Sequence, residues 1–147
     1  MASAATILCL IAVAACGNDA TAQFKAGYAA ARVPVNRTLL EVAKAVRRTP
    51  GRTAAQITRR LGVLSARFGT DLAPLLALRP PARVATAFTT LTRSMRRVEV
   101  DLRETYAALR VGNFPMAQLA LESVRSDAAA AADAGAAVNQ KLARAHR

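Results

Sequence analysis

Few residues in this 147-residue chain are equipped for bond-making chemistry. The only histidine, His146, stands next to the end of the sequence, where a frayed and exposed tail is the expected environment. Two cysteines, Cys9 and Cys16, lie near the other end, with no Cys-x-x-Cys-His run that would attach a haem. One histidine and two cysteines leave little room for a zinc or iron–sulfur centre, so no metal site is expected. Carboxylates are densest at Glu99, Asp101 and Glu104. Their spacing suits helical ion pairs, Glu99 with Arg103 and Arg97 with Asp101, better than acid–base catalysis. Ser65, Ser94, Ser123 and Ser126 have no histidine or acid arranged to activate them, and no glycine-rich phosphate loop is present. No catalytic residue is assigned, and the expectation is a protein that is not an enzyme.

The element that positions Cys16 is an apolar run, Ile7–Ala15, free of charge and followed at once by Gly17, Asn18 and Asp19. It is too short for a membrane span, which takes about 20 apolar residues, but it has the length of a signal-peptide core. Val13-Ala14-Ala15-Cys16 at its end resembles the lipobox of bacterial lipoproteins: a branched apolar residue and two small ones before a cysteine. Small residues let the backbone lie in a membrane peptidase cleft.

The resemblance implies that residues 1–15 are a signal peptide. Cys16 would be the lipid-bearing N-terminus, with a diacylglycerol thioether and a palmitate-type N-acyl chain, and residues 16–22 a short tether. It also implies export and anchoring, on the outer side of the cytoplasmic membrane or on the outer membrane of a bacterium. Cys9 would then be removed, leaving no disulfide partner. Two other outcomes stay open: ordinary signal cleavage before Gln23, for which Ala20-Thr21-Ala22 has the small-x-small pattern, and an uncut apolar anchor.

The remainder, 23–147, reads as one all-α domain. The composition is 53% hydrophobic but only 4% aromatic, so the core must be aliphatic and alanine-rich. Spacings of three and four predict helices at about 21–48, 53–78, 81–111 and 114–145. In the first, Phe24, Tyr28, Ala31, Val35, Leu39, Val42 and Val46 share a face, and Pro34 is expected to kink or break it. The second should open on a capping box of Thr53 and Gln56, pause at Gly69, and restart with Thr70 as cap.

The third carries a heptad seam of Val84, Phe88, Leu91, Met95, Val98, Leu102, Thr105 and Leu109, closed by Gly112. The fourth has a seam of small residues: Ala117, Leu121, Val124, Ala128, Ala131, Gly135, Val138 and Leu142. Small seams favour close helix approach. Short connections make an antiparallel up-down-up-down four-helix bundle the expected fold. Asn36, Asp101, Tyr28 and Tyr106 are placed to hydrogen-bond between helices.

The net charge is +12, spread over all four helices and not interleaved with aromatics, so nucleic acid is not the expected partner. In this topology Lys25, Arg79, Arg83, Lys141, Arg144 and Arg147 gather at the lipidated pole. There they could contact an anionic membrane surface, each cation contributing about 1 kcal/mol. Arg47, Arg48, Arg52, Arg59 and Arg110 gather at the other pole, facing an acidic envelope polymer or protein. Two roles follow. One is a non-enzymatic, membrane-tethered binding or structural module with no cofactor beyond its lipid. The other is a bundle carrier of an apolar ligand or non-covalent cofactor. A filled interior would favour the first, and a lined pocket with convergent polar groups the second.

Overall fold

The computed structural model describes residues 8–47 and 53–144, with side chains from Asp19 onward. Among the described residues four helices follow one another: α1 (Leu8–Val46), α2 (Ala54–Leu76), α3 (Ala82–Arg110) and α4 (Phe114–Arg144). The chain is an all-α antiparallel four-helix bundle. Thr38 of α1 meets Asp71 of α2, Gly62 of α2 lies against Tyr106 of α3, and Arg97 of α3 reaches Asp127 of α4. These pairs run antiparallel, as the short connections require.

The termini of the elements follow local chemistry. Thr53 caps α2: its hydroxyl accepts from the Gln56 amide at 3.3 Å, while the Gln56 side chain accepts from the Thr53 amide at 2.9 Å. Gly112 closes α3 at φ +71°, a left-handed conformation that a Cβ would strain, and the next amide, Asn113, donates to Ala108 O at 2.9 Å. Asn113 then caps α4, its side-chain oxygen accepting from the Met116 amide at 3.1 Å.

Three expectations about the helices need correction. First, α1 begins well before residue 21. Helical backbone runs from Leu8 through Cys16 and the whole of 16–22. Second, α1 is helical through Pro34. Ala31 and Val35, buried on either side, hold the helix in register although one amide donor is missing. Third, α2 does not pause at Gly69. Thr70 lies inside the helix and donates back to Ala66 O at 3.4 Å instead of capping a new segment. Burial of Phe68 and Leu72 on the two sides of Gly69 outweighs its poor helix propensity. The expected turn at Thr49-Pro50-Gly51 lies outside the described residues, as do Arg48, Arg52, His146 and Arg147.

The core is largely the expected one. Phe24, Tyr28, Val35, Val42, Leu61, Leu64, Phe68, Leu72, Val84, Phe88, Leu91, Met95, Val98, Leu102, Val124, Ala131, Val138 and Leu142 are all buried. Near the start of the bundle, the edge of Phe88 meets the ring of Phe24 at 5.2 Å, tying α1 to α3 across the bundle. The closest backbone packing joins α3 to α4, then α1 to α2 and α2 to α3. The fourth side of the ring, between α1 and α4, is open.

Candidate functional site

Two regions could carry function: the cationic pole and the open side. The pole can be placed because Arg83, at the start of α3, donates to Thr21 Oγ1 of α1 at 3.4 Å, and Leu78 packs over Gly27. The start of the bundled part of α1, the α2–α3 turn and the end of α4 therefore lie together. Lys25, Arg79, Arg83, Lys141 and Arg144 are exposed there. Arg147 falls outside the described residues. Val13, Ala14, Ala15 and Cys16 have helical backbone, but their side chains lie outside the description. Among the described residues no helix is long and apolar enough to cross a membrane, and no group of three His, Cys, Asp or Glu side chains could hold a metal ion.

The open side is a cleft between α1 and α4. One compartment, of about 290 Å³, is floored by Val35, Leu75, Leu91 and Met95, with small residues Ala131 and Gly135 on the α4 wall. Tyr28, Arg32, Asn36 and Asn139 supply its polar groups. The second, of about 320 Å³, runs between Leu39, Val42 and Val46 on α1 and Leu121 and Val124 on α4, ending at Arg47 and Arg125. Leu39 and Ala128 line both, so the two compartments adjoin. No carboxylate lines either one.

The cleft has a sequence cause. Ala128, Ala131 and Gly135 accompany the close backbone approach of α4 to α3, and at Gly135 the Tyr28 hydroxyl of α1 comes close as well. Along the rest of the α1 side the same missing side-chain volume leaves a channel. Leu121, Ala128 and Gly135, expected on a sealed seam, are consequently only half-buried. The signal was present in the run of small residues, but a one-dimensional pattern does not say which neighbour they face.

Polar groups around the cleft are held from both helices. The Arg32 guanidinium sits 5.8 Å from the Tyr28 ring centre and donates to the Asn139 side chain at 3.4 Å, spanning the mouth from α1 to α4. The Tyr28 hydroxyl lies over Gly135, where an added Cβ would meet it at 3.5 Å. Burial pushes the Tyr28 phenol up, with the Arg32 charge opposing more weakly, so Tyr28 stays a neutral donor and acceptor at ordinary pH. Asn36, expected to bond between helices, is exposed at the rim.

Elsewhere polar groups also link helices, Thr38 to Asp71 in the interior and Arg97 to Asp127 at a partly exposed edge. Thr38 is fully buried and donates to Asp71 Oδ2 at 2.6 Å, and Arg67 approaches the same oxygen at 3.5 Å. Thr38 was hidden in the pattern because it occupies a core position next to Leu39. The second link corrects an expectation. Arg97 does not pair with Asp101 on its own helix. It reaches Asp127 across the α3–α4 interface at 4.0 Å. Asp101 Oδ2 is buried without a hydrogen-bond partner, and its carboxyl is pushed above its ordinary value by desolvation first, then by repulsion from Asp127 and Glu104. Glu99 and Arg103 do form the expected pair. Tyr106, rather than bridging helices by a hydrogen bond, lays its ring on Gly62.

Fold and site together define a basic four-helix bundle with a lateral, acid-free apolar cleft. No family model matches the chain, and comparison with curated proteins and with solved structures likewise gives no match.

Proposed function

We propose that this is an exported, lipid-anchored, non-enzymatic binding protein of the bacterial envelope, held against an anionic membrane through its cationic pole. The observation that carries the reading is Val13-Ala14-Ala15-Cys16 at the end of a charge-free apolar run. The fold supports it in one respect. Thr21, the first buried side chain of α1, is five residues past Cys16 on an unbroken helix, an axial rise of about 8 Å at 1.5 Å per residue. An acylated Cys16 would thus hold Arg83, whose guanidinium reaches Thr21, within about one Debye length of the lipid headgroups.

Intact-mass spectrometry and metabolic acyl labelling of wild type and Cys16→Ala test the anchor. Wild type should begin at Cys16 and carry lipid, and the variant should carry none. A mature chain starting at Gln23 without lipid refutes it. Vesicle sedimentation across a salt series tests the pole: binding should require anionic lipid and weaken as salt rises.

The cleft favours a second reading of the same module, as a carrier of an apolar ligand, because it brings an apolar trough and convergent polar groups together. Native mass spectrometry of protein released from its envelope should then show a small apolar molecule bound with one-to-one stoichiometry.

A further inference from the structure

We infer that the compartment between Tyr28 and Leu39 binds a flat, compact carboxylic acid, with its ring body in the slot between α1 and α4 and its carboxylate on Tyr28 and Arg32. The inference rests on the carrier reading above, to which it adds a ligand class, and is independent of lipidation at Cys16.

The Tyr28 hydroxyl is the first argument. Tyr28 is only 4% exposed, and its hydroxyl faces the compartment beside Gly135. Among the described residues no group hydrogen-bonds that hydroxyl. The ring is stacked on Phe24 and edge-on to Phe88, which fixes the direction of the hydroxyl. A buried phenol ordinarily finds a partner, and here only something inside the slot can supply one. Gly135 keeps the hydroxyl open to the slot: an added Cβ would stand 3.5 Å from it, in the space a ligand oxygen would use.

Shape is the second argument. Arg32, Val35, Asn36 and Leu39 line one wall from α1, and Ala128, Ala131, Gly135 and Asn139 the other from α4, each set at helical spacings of three and four. The walls are facing stripes, and the α4 stripe is built of small residues, so the slot between them suits a flat body. Leu75, Leu91 and Met95 close its floor, and the thioether adapts readily to the edge of a ring. The volume, about 290 Å³, matches a small fused-ring molecule rather than a long chain.

Charge selects the polar end. Arg32 makes no ion pair among the described residues, and its hydrogen bond to Asn139 goes to a neutral amide and uses one of several N–H donors. No carboxylate lines the compartment. Tyr28 and Arg32 are four residues apart on one face of α1, so both donors address the same ligand group. A carboxylate there would take a phenol and a charge-assisted bond together. A neutral hydrocarbon would fill the slot and leave both donors unmet.

The test uses the full chain in zwitterionic vesicles, with 2-naphthoate affinity measured by equilibrium dialysis against empty vesicles. Binding of 2-naphthamide should be about tenfold weaker or more, the worth of a hydrogen bond to a charged group. Tyr28→Phe keeps the ring packing and should weaken both probes by about five- to tenfold. Arg32→Gln should erase the preference for naphthoate and leave naphthamide unchanged. Gly135→Ala should raise the thermal midpoint, because its Cβ meets only ordinary contacts and favours the helix, yet weaken naphthoate severalfold. Photolabelling with 4-benzoylbenzoate should map to Met95 and to residues 128–139, compete with naphthoate, and be the same in Cys16→Ala.

Equal binding of naphthoate and naphthamide to wild type overturns the carboxylate and leaves a carrier of neutral ligands standing. Naphthoate binding indifferent to Tyr28→Phe and Gly135→Ala, or labelling elsewhere in the bundle, overturns the site. The carrier reading itself falls only if, in addition, protein released from its envelope holds no small molecule.

Discussion

Gly62 and Gly69 stand two turns apart on the same face of α2, and the structure assigns them opposite responses to one added methyl group. A Cβ on Gly62 would sit 2.6 Å from Cε2 and 2.8 Å from Cζ of Tyr106. The ring is a rigid plate with Arg110 over it at 5.8 Å, so relief requires ring, guanidinium and helix to shift together. Overpacking of this kind costs about 1–3 kcal/mol. Replacing glycine by alanine in a helix interior returns about 0.8–1.0 kcal/mol. Gly62→Ala should therefore destabilise the bundle by about 1 kcal/mol, within a range of about 0–2.

At Gly69 the nearest atom is Glu99 Oε1 at 2.9 Å, the far end of a flexible, solvent-reaching side chain that can swing aside. Gly69→Ala should keep most of the helix gain and stabilise by about 0.5–1 kcal/mol. Urea titration with far-UV circular dichroism measures both, and thermal midpoints should separate the two variants by several degrees. In a Tyr106→Ala background the ring is gone, and Gly62→Ala should become stabilising relative to that background. Equal stabilisation by both alanines in the wild-type chain refutes the α2–α3 contact.

Other consequences are as direct. The native Asp101 carboxyl titrates above the ordinary aspartate value of 3.8, so the folded state holds its proton to higher pH than the unfolded chain does. Stability should therefore be greatest below that value and fall as pH rises through the native one. Asp101→Asn should flatten this loss and raise neutral-pH stability by about 1 kcal/mol, the scale of an unmet buried acceptor; urea midpoints across acid to neutral pH read it. Thr38→Val keeps the shape but removes the hydrogen bond to Asp71 and should cost about 1–2 kcal/mol, with a non-additive double-mutant cycle against Asp71→Ala. Thr53→Ala removes the capping box of α2 and should cost about 1 kcal/mol, with faster amide hydrogen exchange confined to Ala54–Ile57.

The bundle was legible because its signals are local and repeated. The seam from Val84 to Thr105 is buried in full, and the Thr53–Gln56 box and the Gly112 stop stand where the sequence puts them. What was not legible depends on neighbours. Gly69 and Pro34 are breakers in isolation, but each lies between buried residues whose packing carries the helix through. The arginine at 97 has an aspartate four residues on, yet pairs with one on another helix. The cleft was least legible of all. The pattern marks Ala128, Ala131 and Gly135 as inward-facing, but its width is set by the distance between α1 and α4, the elements furthest apart in the chain.

That separation has a kinetic side. Every helix pair in close backbone contact joins sequence neighbours, whereas the pair that would close the ring brings the two ends of the chain together. Dense contacts join sequence neighbours, the arrangement associated with low contact order and fast folding in helical proteins. On the carrier reading proposed above, a ligand in the trough would act after folding, as a late strut across an assembled frame. At a hundred times its dissociation constant it would add about 2.7 kcal/mol to stability and would slow unfolding rather than speed folding.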